Sequence, residues 1–290
     1  MKSDANNLNC IICGSRTLYK RQLLSSSERA KGKILDITLC RECGHARLTN
    51  QPTEMDNLNL QKERFDTLSS KINYWKTRWP GRHGMIAASV NRLFKQGGTL
   101  LDIGCNNGEL LIALGDNWKK HGIELSSKAA TIAAKYSDAD IHCGTYDEYE
   151  IDNNYFDVIT CCAVIEHICE INLFIDWIWK KLKQGGMLVM MTGDRESKLA
   201  LKMDNNWPLY WCSEHIHFFS ATSLNTLLKN HNYSIIKYEW RFQYGRGGRA
   251  SVIRKLYERF KEIIGIINKP KYDHCYVYAR KNRDDIESIE

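Results

Sequence analysis

Residues 99–110, TLLDIGCNNGEL, place an acid and a glycine turn between an apolar run and the start of a helical pattern. Gly104 and Gly108 would let the backbone turn sharply and approach a ligand closely. The helix start offers free N–H groups to a carboxylate, and Asp102 can accept hydrogen bonds from an amine. This order of strand, turn and helix is where nucleotide-like cofactors bind open α/β sheets. It predicts a site for a ligand with an amine, a carboxylate and a nucleoside.

A dinucleotide does not suit this turn. The dinucleotide fingerprint G-x-G-x-x-G would need glycines at Asn106 and Glu109, and Glu109 would repel a pyrophosphate. Glu124 ends the next predicted strand, about 20 residues beyond the turn, which is the spacing of an acid that binds ribose hydroxyls. The sequence therefore predicts a single nucleoside rather than a dinucleotide.

Two Cys-x2-Cys-Gly knuckles near the N-terminus form the second strong pattern, with Cys10 and Cys13 in one and Cys40 and Cys43 in the other. This pattern is typical of a zinc ribbon, and four thiolates would close the coordination sphere, so we expect a structural Zn²⁺. The alternative is four unligated cysteines. His45 could replace a ligand, but we expect a spare surface histidine.

The remaining chain resembles the class I S-adenosylmethionine-dependent methyltransferases, in the branch of the ubiquinone-pathway O-methyltransferases. The matching stretches are LDIGCNNG (101–108), GIELS (122–126), CGTYDE (143–148), YFDVITCCAVIEHI (155–168), LKQGGMLVMMT (182–192) and EHIHFFSATSLNTLLKNHNYSI (214–235). The resemblance implies S-adenosyl-L-methionine as cofactor. With the spacing above, it predicts these cofactor-binding residues: Asp102, Gly104, Cys105, Asn106, Gly108, Glu124, Leu125, Thr145, Tyr146 and Cys162.

One position departs from the family pattern. The middle residue of the glycine turn is commonly glycine in the family and is Asn106 here. Asparagine tolerates the left-handed backbone conformation better than most residues. We interpret Asn106 as a tolerated variant, with a catalytically degenerate scaffold as the alternative.

Strand and helix patterns alternate through the main part of the chain, which predicts an α/β fold with a parallel sheet covered on both faces. The predicted strands are 99–103, 119–124, 140–142, 156–162, 186–192, 233–240 and 273–280, and the predicted helices are 107–115, 127–136, 170–183 and 221–230. The family resemblance implies a Rossmann-like seven-stranded sheet whose last two strands form an antiparallel edge. We expect a zinc ribbon at 1–50, a helical connector or lid at 51–97, the methyltransferase domain at 98–280 and a charged tail at 281–290. In the connector, Tyr74, Trp75 and Trp79 could form either an interdomain seam or a lid.

Methyl transfer to a hydroxyl or a carbon acid requires a general base. His167 follows the strand at 156–162, at the edge where the reactive methyl should lie, and is our first candidate; the alternative is a histidine that shapes the pocket. His215 is the second candidate. Alternation would place His215 and His217 on one side of an extended segment, where they could bind a metal with Glu214 or Glu166 or simply anchor the next helix.

Composition limits the acceptor and the compartment. The net charge is +7 with lysines and arginines spread along the 290 residues, and the start MKSDANNLNC has no apolar signal core, so we expect a cytoplasmic protein without a membrane span. The order of a zinc ribbon followed by a methyltransferase domain resembles two groups of enzymes. One is the sugar methyltransferases of surface-polysaccharide and secondary-metabolite pathways, and the other is certain ribosomal RNA methyltransferases. We expect a small-molecule, nucleotide-sugar or glycan acceptor. A nucleic acid is disfavoured, because CCAV stands where an N-P-P-[FY] motif would follow the strand at 156–162.

Overall fold

The computed structural model describes residues 9–28, 30–69, 81–241 and 272–282, and it contains two β-sheets. The larger sheet has seven strands in the order β10-β11-β8-β7-β4-β5-β6. These strands are β4 (Gly98–Ile103), β5 (Trp118–Glu124), β6 (Asp140–Cys143), β7 (Phe156–Cys162), β8 (Leu182–Gly193), β10 (Tyr233–Arg241) and β11 (His274–Lys281). The strands that are adjacent in the part β8-β7-β4-β5-β6 run parallel to each other. β11 is antiparallel to both of its neighbours, β8 and β10. The predicted fold and its antiparallel edge are confirmed.

Helices cover both faces of this sheet because its strands are apolar on both sides. The helices are α1 (Glu54–Ser69), α2 (Arg82–Leu93), α3 (Glu109–Leu114), α4 (Ser127–Ser137), α5 (Ile171–Lys181), α6 (Lys198–Met203) and α7 (Ala221–Asn230). On one face, Val90 of α2 and Leu111 of α3 are fully buried in one apolar cluster. On the other face, Phe174 of α5 and Leu227 of α7 are fully buried in a second cluster. The two layers hold the loops at the carboxyl ends of β4, β5 and β7 in place.

The smaller sheet joins the cysteine-rich segment to the main domain. Its order is β1 (Leu18–Leu24), β2 (Ile34–Cys40), β3 (Ala46–Leu48) and β9 (His217–Phe218), all antiparallel. Because β9 belongs to the main domain, this sheet crosses the predicted boundary at residue 50. The predicted division into domains stays a prediction.

The connector contains α1 and α2, and α1 lies across the carboxyl edge of the large sheet. The predicted aromatic cluster Tyr74, Trp75 and Trp79 lies outside the described residues, as do residues 283–290 of the predicted tail. Within the part of the chain that the structure describes, no helix is both long and apolar enough to cross a membrane.

Candidate active site

A pocket opens at the carboxyl ends of β4, β5 and β7, beneath α1. Nine of the ten predicted cofactor-binding residues line it: Asp102, Gly104, Cys105, Asn106, Glu124, Leu125, Thr145, Tyr146 and Cys162. His167 lines the same pocket on its β7 side. The pocket therefore joins the predicted nucleoside-binding residues to the first candidate base.

Glu124 is the buried anion at the end of β5. Its carboxylate accepts the Asn106 N–H at 2.8 Å on one oxygen and the Ser126 N–H at 2.9 Å on the other. Burial raises the pKa of the Glu124 carboxyl above its ordinary value, and the two N–H donors partly oppose that shift. Each carboxylate oxygen has a second lone pair. Glu124 can thus accept hydrogen bonds from a ribose diol in a fixed orientation.

The glycine turn has the backbone shape that its sequence predicts. Gly104 has a φ of +70°, and a Cβ there would lie 2.5 Å from Val164 Cγ2, so a side chain has neither room nor a relaxed backbone. Asn106 adopts the left-handed conformation with a φ of +50°, as predicted. Its buried Oδ1 has no hydrogen-bond partner. Asp102 is the penultimate residue of β4 and accepts a hydrogen bond of 2.6 Å from the Thr160 hydroxyl.

Gly108 is the exception among the predicted cofactor contacts, because it does not line the pocket. It precedes α3 with a φ of +82°, and a Cβ there would lie 3.2 Å from the Ala133 Cα and 3.1 Å from the Ser137 Cβ. The glycine therefore allows α3 to approach α4 closely. Helix packing is sufficient to explain a glycine here, and the prediction that Gly108 contacts the cofactor stays a prediction.

His167 has a fixed ring orientation. It ends the short 3-10 turn Ile165–His167 after β7, and it is 5% exposed. Its Nδ1 lies 3.0 Å from the carbonyl oxygen of Glu214. Since a carbonyl can only accept, Nδ1 carries a proton, and in the neutral ring the lone pair is then on Nε2. The carbonyl of His167 in turn accepts a hydrogen bond of 2.6 Å from the Asn57 side chain.

His215 lies behind His167 and is not among the residues that line the pocket. The two rings meet edge to face with centroids 4.8 Å apart, and the His215 Nδ1 lies 3.0 Å from the Leu209 carbonyl oxygen. Burial lowers the pKa of His215 well below its ordinary value, and His167 adds to this shift. His215 therefore supports the ring of His167 from behind, and its catalytic role stays a prediction.

One ligand atom from each of Glu166, His167 and His215 lies within 4.8 Å of the others, so these side chains could hold a divalent cation. Backbone carbonyls orient both rings through Nδ1, as is usual for metal-bound histidines.

The predicted grouping of His215 with His217 is wrong. His217 is absent from this group of ligand atoms, because its ring is held against His45 of the ribbon.

His217 instead faces the ribbon, where its Nδ1 lies 3.2 Å from the His45 Nε2. The prediction that His45 is a surface residue is also wrong, because it is 3% exposed beneath the β3–β9 pair. Residues 172 positions apart in sequence form this contact, so no local pattern could indicate it.

Helix α1 contributes site residues that the sequence reasoning missed. Asn57 and Gln61 line the pocket from above, and the Arg64 guanidinium forms an ion pair with the buried Glu214 carboxylate. A further bond joins the Ser126 hydroxyl to Asp66 of the same helix. The signal was available, because Asn57, Gln61 and Arg64 recur at the spacing of one helix face. The structure places this polar face over the pocket.

The four knuckle cysteines converge as predicted. Sγ of Cys10 lies 3.6 Å from that of Cys43, and Sγ of Cys13 lies 3.5 Å from that of Cys40. Sulfurs around a tetrahedral Zn²⁺ with bonds of about 2.3 Å are about 3.8 Å apart. The donor type, number and spacing all fit structural zinc.

Two buried histidines predict that the fold weakens in mild acid. Burial lowers the pKa values of His215 and His217 well below 6.5, so the unfolded chain binds more protons as the pH falls through that value. The free energy of unfolding should then decrease by up to about 2.7 kcal/mol per pH unit. Urea unfolding between pH 7.5 and 5.5 measures this slope. The variant with both histidines replaced by glutamine should lose part of it, because burial also lowers the pKa values of His45 and His121, and an unchanged slope would contradict the assignment.

Comparisons with known proteins agree with this geometry. The chain is 34% identical over 119 residues to the ubiquinone biosynthesis O-methyltransferase of Nitrobacter winogradskyi, covering 39% of this chain and 44% of that protein. It is 26% identical to the enzyme of the same name from Glaesserella parasuis, covering 50% of this chain and 68% of that protein. The chain thus spans less than half of the first of these relatives and about two thirds of the second.

The fold is shared with solved methyltransferases. A SAM-dependent methyltransferase from Thermotoga maritima, a possible histamine N-methyltransferase, superimposes with a TM-score of 0.53 at 18% identity. That match covers 77% of this chain and all of the other one. The family model described as "Methyltransferase domain" matches residues 79–238, which is more than half of the chain. This protein belongs to that methyltransferase-domain family.

Proposed function

We propose that this protein is an S-adenosylmethionine-dependent methyltransferase. It would transfer the methyl group to a hydroxyl oxygen or to an acidic carbon of a small molecule or glycan. One observation carries the proposal: a single pocket brings Glu124 and the glycine turn opposite His167. Bound S-adenosyl-L-methionine would supply a methyl group on a sulfonium leaving group, so the protein mainly has to position the acceptor.

The chain's own residues suit each part of this cofactor. Glu124 would bind the ribose hydroxyls, and the turn at Gly104 and Asn106 would lie along the methionine portion. Leu125, Thr145 and Tyr146 line the part of the pocket beside Glu124, where they would border the adenine. Tyr146 is held edge to face against Phe174 and Trp177, which gives that wall a fixed shape.

His167 would act as the base that removes a proton from the molecule to be methylated. Its Nδ1–H is committed to the Glu214 carbonyl, so the available lone pair is on Nε2 of a side chain that lines the pocket. The bond from the acceptor oxygen or carbon to the methyl carbon would form as the carbon–sulfur bond breaks and releases a neutral thioether. The acceptor's proton would pass to Nε2, so the methylated product would leave without charge. A positioned base of this kind contributes about 10²- to 10⁴-fold to a rate.

For the acceptor we propose a sugar in a surface-polysaccharide or secondary-metabolite pathway, presented as a nucleotide sugar or a glycan. Polar side chains of the connector, Asn57, Gln61 and His83, line the roof of the pocket and suit hydroxyl groups. The Asn57 Oδ1 is buried without a hydrogen-bond partner. A second candidate is an intermediate of ubiquinone biosynthesis, because the sequence relatives carry that name.

The arrangement of the ribbon disfavours RNA as the acceptor. The Cys43 carbonyl accepts a hydrogen bond from Ser220, and the Gly44 carbonyl accepts one from Arg195. These two carbonyls of the second knuckle are thus bound by the main domain and are not available to a nucleic acid. We also propose a cytoplasmic location, where thiols stay reduced and available to zinc.

Replacing His167 with alanine tests the role of the base. Turnover is measured with a panel of nucleotide sugars and ubiquinone precursors, and the affinity for S-adenosylhomocysteine is measured in parallel. We expect kcat to fall about 100- to 10,000-fold with the affinity changed less than threefold. His231→Ala is the matched control, because His231 binds Asp176 and Asn172 far from the pocket. Equal turnover in the His167 variant would exclude the proposed role.

A further inference from the structure

A backbone ladder connects the ribbon to the turn that carries His167. β3 pairs with β9, and the Leu48 N–H donates to the Ile216 carbonyl at 3.0 Å. The Ile216 N–H in turn donates to the Glu166 carbonyl at 2.9 Å. The segment around Ile216 is therefore held by backbone hydrogen bonds between the ribbon and the 3-10 turn.

The same segment fixes the ring of His167. Glu214, two residues before Ile216, accepts the His167 Nδ1–H at 3.0 Å through its carbonyl oxygen. Any displacement of residues 214–216 from the ribbon would remove this acceptor. The tautomer that leaves Nε2 free for a proton then loses its stabilisation.

The ribbon end of the ladder is anchored to the main domain on both knuckles. On the first knuckle, the carbonyls of Ile11 and Ile12 accept hydrogen bonds from Asn172 of α5 and Asn230 of α7. On the second, Ser220 and Arg195 bind the carbonyls of Cys43 and Gly44, as described above. Cys10, Cys40 and Cys43 are buried in the same apolar cluster as α5 and α7. A metal-closed ribbon is thus a rigid support for β3.

The cofactor half of the pocket is assembled from other elements. Glu124 is bound by Asn106 and Ser126, and the turn is formed between β4 and α3. None of these described contacts involves the ribbon. Ribbon and cofactor binding should therefore be separable.

From this arrangement we infer that the zinc ribbon is a positioning element for His167: through β3 and residues 214–216 it holds the histidine in its Nδ1–H tautomer. The inference rests on the proposed function of His167 as the base. It gives the ribbon a role in the acceptor half of the reaction, beyond stabilising the fold.

A matched pair of proline substitutions tests the ladder. Leu48→Pro removes the N–H that binds Ile216, whereas Thr49→Pro removes the neighbouring N–H, which binds Asp36 within the ribbon. In protein labelled with ¹⁵N-histidine, long-range ¹H–¹⁵N spectra report the tautomer of His167, with His167→Gln as the assignment control. Titration calorimetry with S-adenosylhomocysteine reports the cofactor half, and neither readout needs an acceptor.

We expect the Leu48 variant to lose the Nδ1–H signature of His167 while its Kd for S-adenosylhomocysteine stays within twofold of wild type. The Thr49 variant should keep both. A native tautomer in the Leu48 variant would overturn the inference. If that variant does not fold, zinc is removed from the wild-type protein with a chelator and the same two readouts are taken, with the same expected and contrary results. Absence of binding by the wild-type protein would instead contradict the proposed function.

Discussion

Substitution of Glu124 by glutamine is expected to weaken S-adenosylhomocysteine binding at least 100-fold. Hydrogen bonds to a charged acceptor contribute about 1.5–3 kcal/mol each, and a ribose diol would make two. The glutamine amide would also turn an N–H donor toward the N–H groups of Asn106 or Ser126, which now bind the two carboxylate oxygens. Titration calorimetry at neutral pH measures the loss.

Asp140→Asn is the matched control, because Asp140 is an exposed carboxylate at the start of the neighbouring strand β6. It should leave the affinity unchanged. The pH dependence provides a second check. Since burial raises the pKa of Glu124, the affinity of the wild-type protein should fall as the pH drops through that raised value and the carboxylate is protonated. The glutamine variant should lack this dependence, and equal affinities for wild type and variant would remove Glu124 from the site.

Loss of the zinc site is expected to have the largest effect on stability. Replacing both Cys40 and Cys43 with serine should abolish stoichiometric zinc binding and lower the Tm by about 6–12 °C. The physical reason is that both cysteines are buried in the same cluster as the main core, so loosening the ribbon exposes shared apolar surface. A destabilisation of about 3 kcal/mol corresponds to that shift in a chain of this size.

Metal analysis and thermal denaturation of the purified protein measure the two effects. Cys143→Ser is the control, because Cys143 is an exposed cysteine away from the knuckles. It should keep both the zinc and the Tm. Wild-type protein that folds without bound metal and has the Tm of the double variant would contradict a structural zinc.

The parts of the site that sequence could predict are those that local geometry determines. Asp102, Gly104 and Glu124 occupy fixed positions relative to strand ends and a turn, so their spacing alone places them in one pocket. The β/α alternation likewise predicts the sheet. Gly108 shows the limit of such spacing, because a glycine required for α3–α4 packing follows the same pattern as one required by a ligand.

The contacts that sequence could not predict are those between distant segments. The pairing of His45 with His217, the crossing of β9 into the ribbon sheet and the placement of α1 over the pocket all depend on tertiary packing. Asn57 and Arg64 could not be identified as site residues from sequence, because polarity does not distinguish a solvated helix face from one over a polar pocket. These contacts are also the ones that place His167.

The central claim is that the pocket beneath α1 binds S-adenosylmethionine. Titration calorimetry of the zinc-loaded protein with S-adenosylmethionine and S-adenosylhomocysteine tests it most directly, because neither titration needs a known acceptor. We predict one site per chain with micromolar affinity for both compounds, lost on substitution of Glu124 or of Asp102. Absence of binding by folded protein that carries its zinc would contradict the account and favour a non-catalytic scaffold.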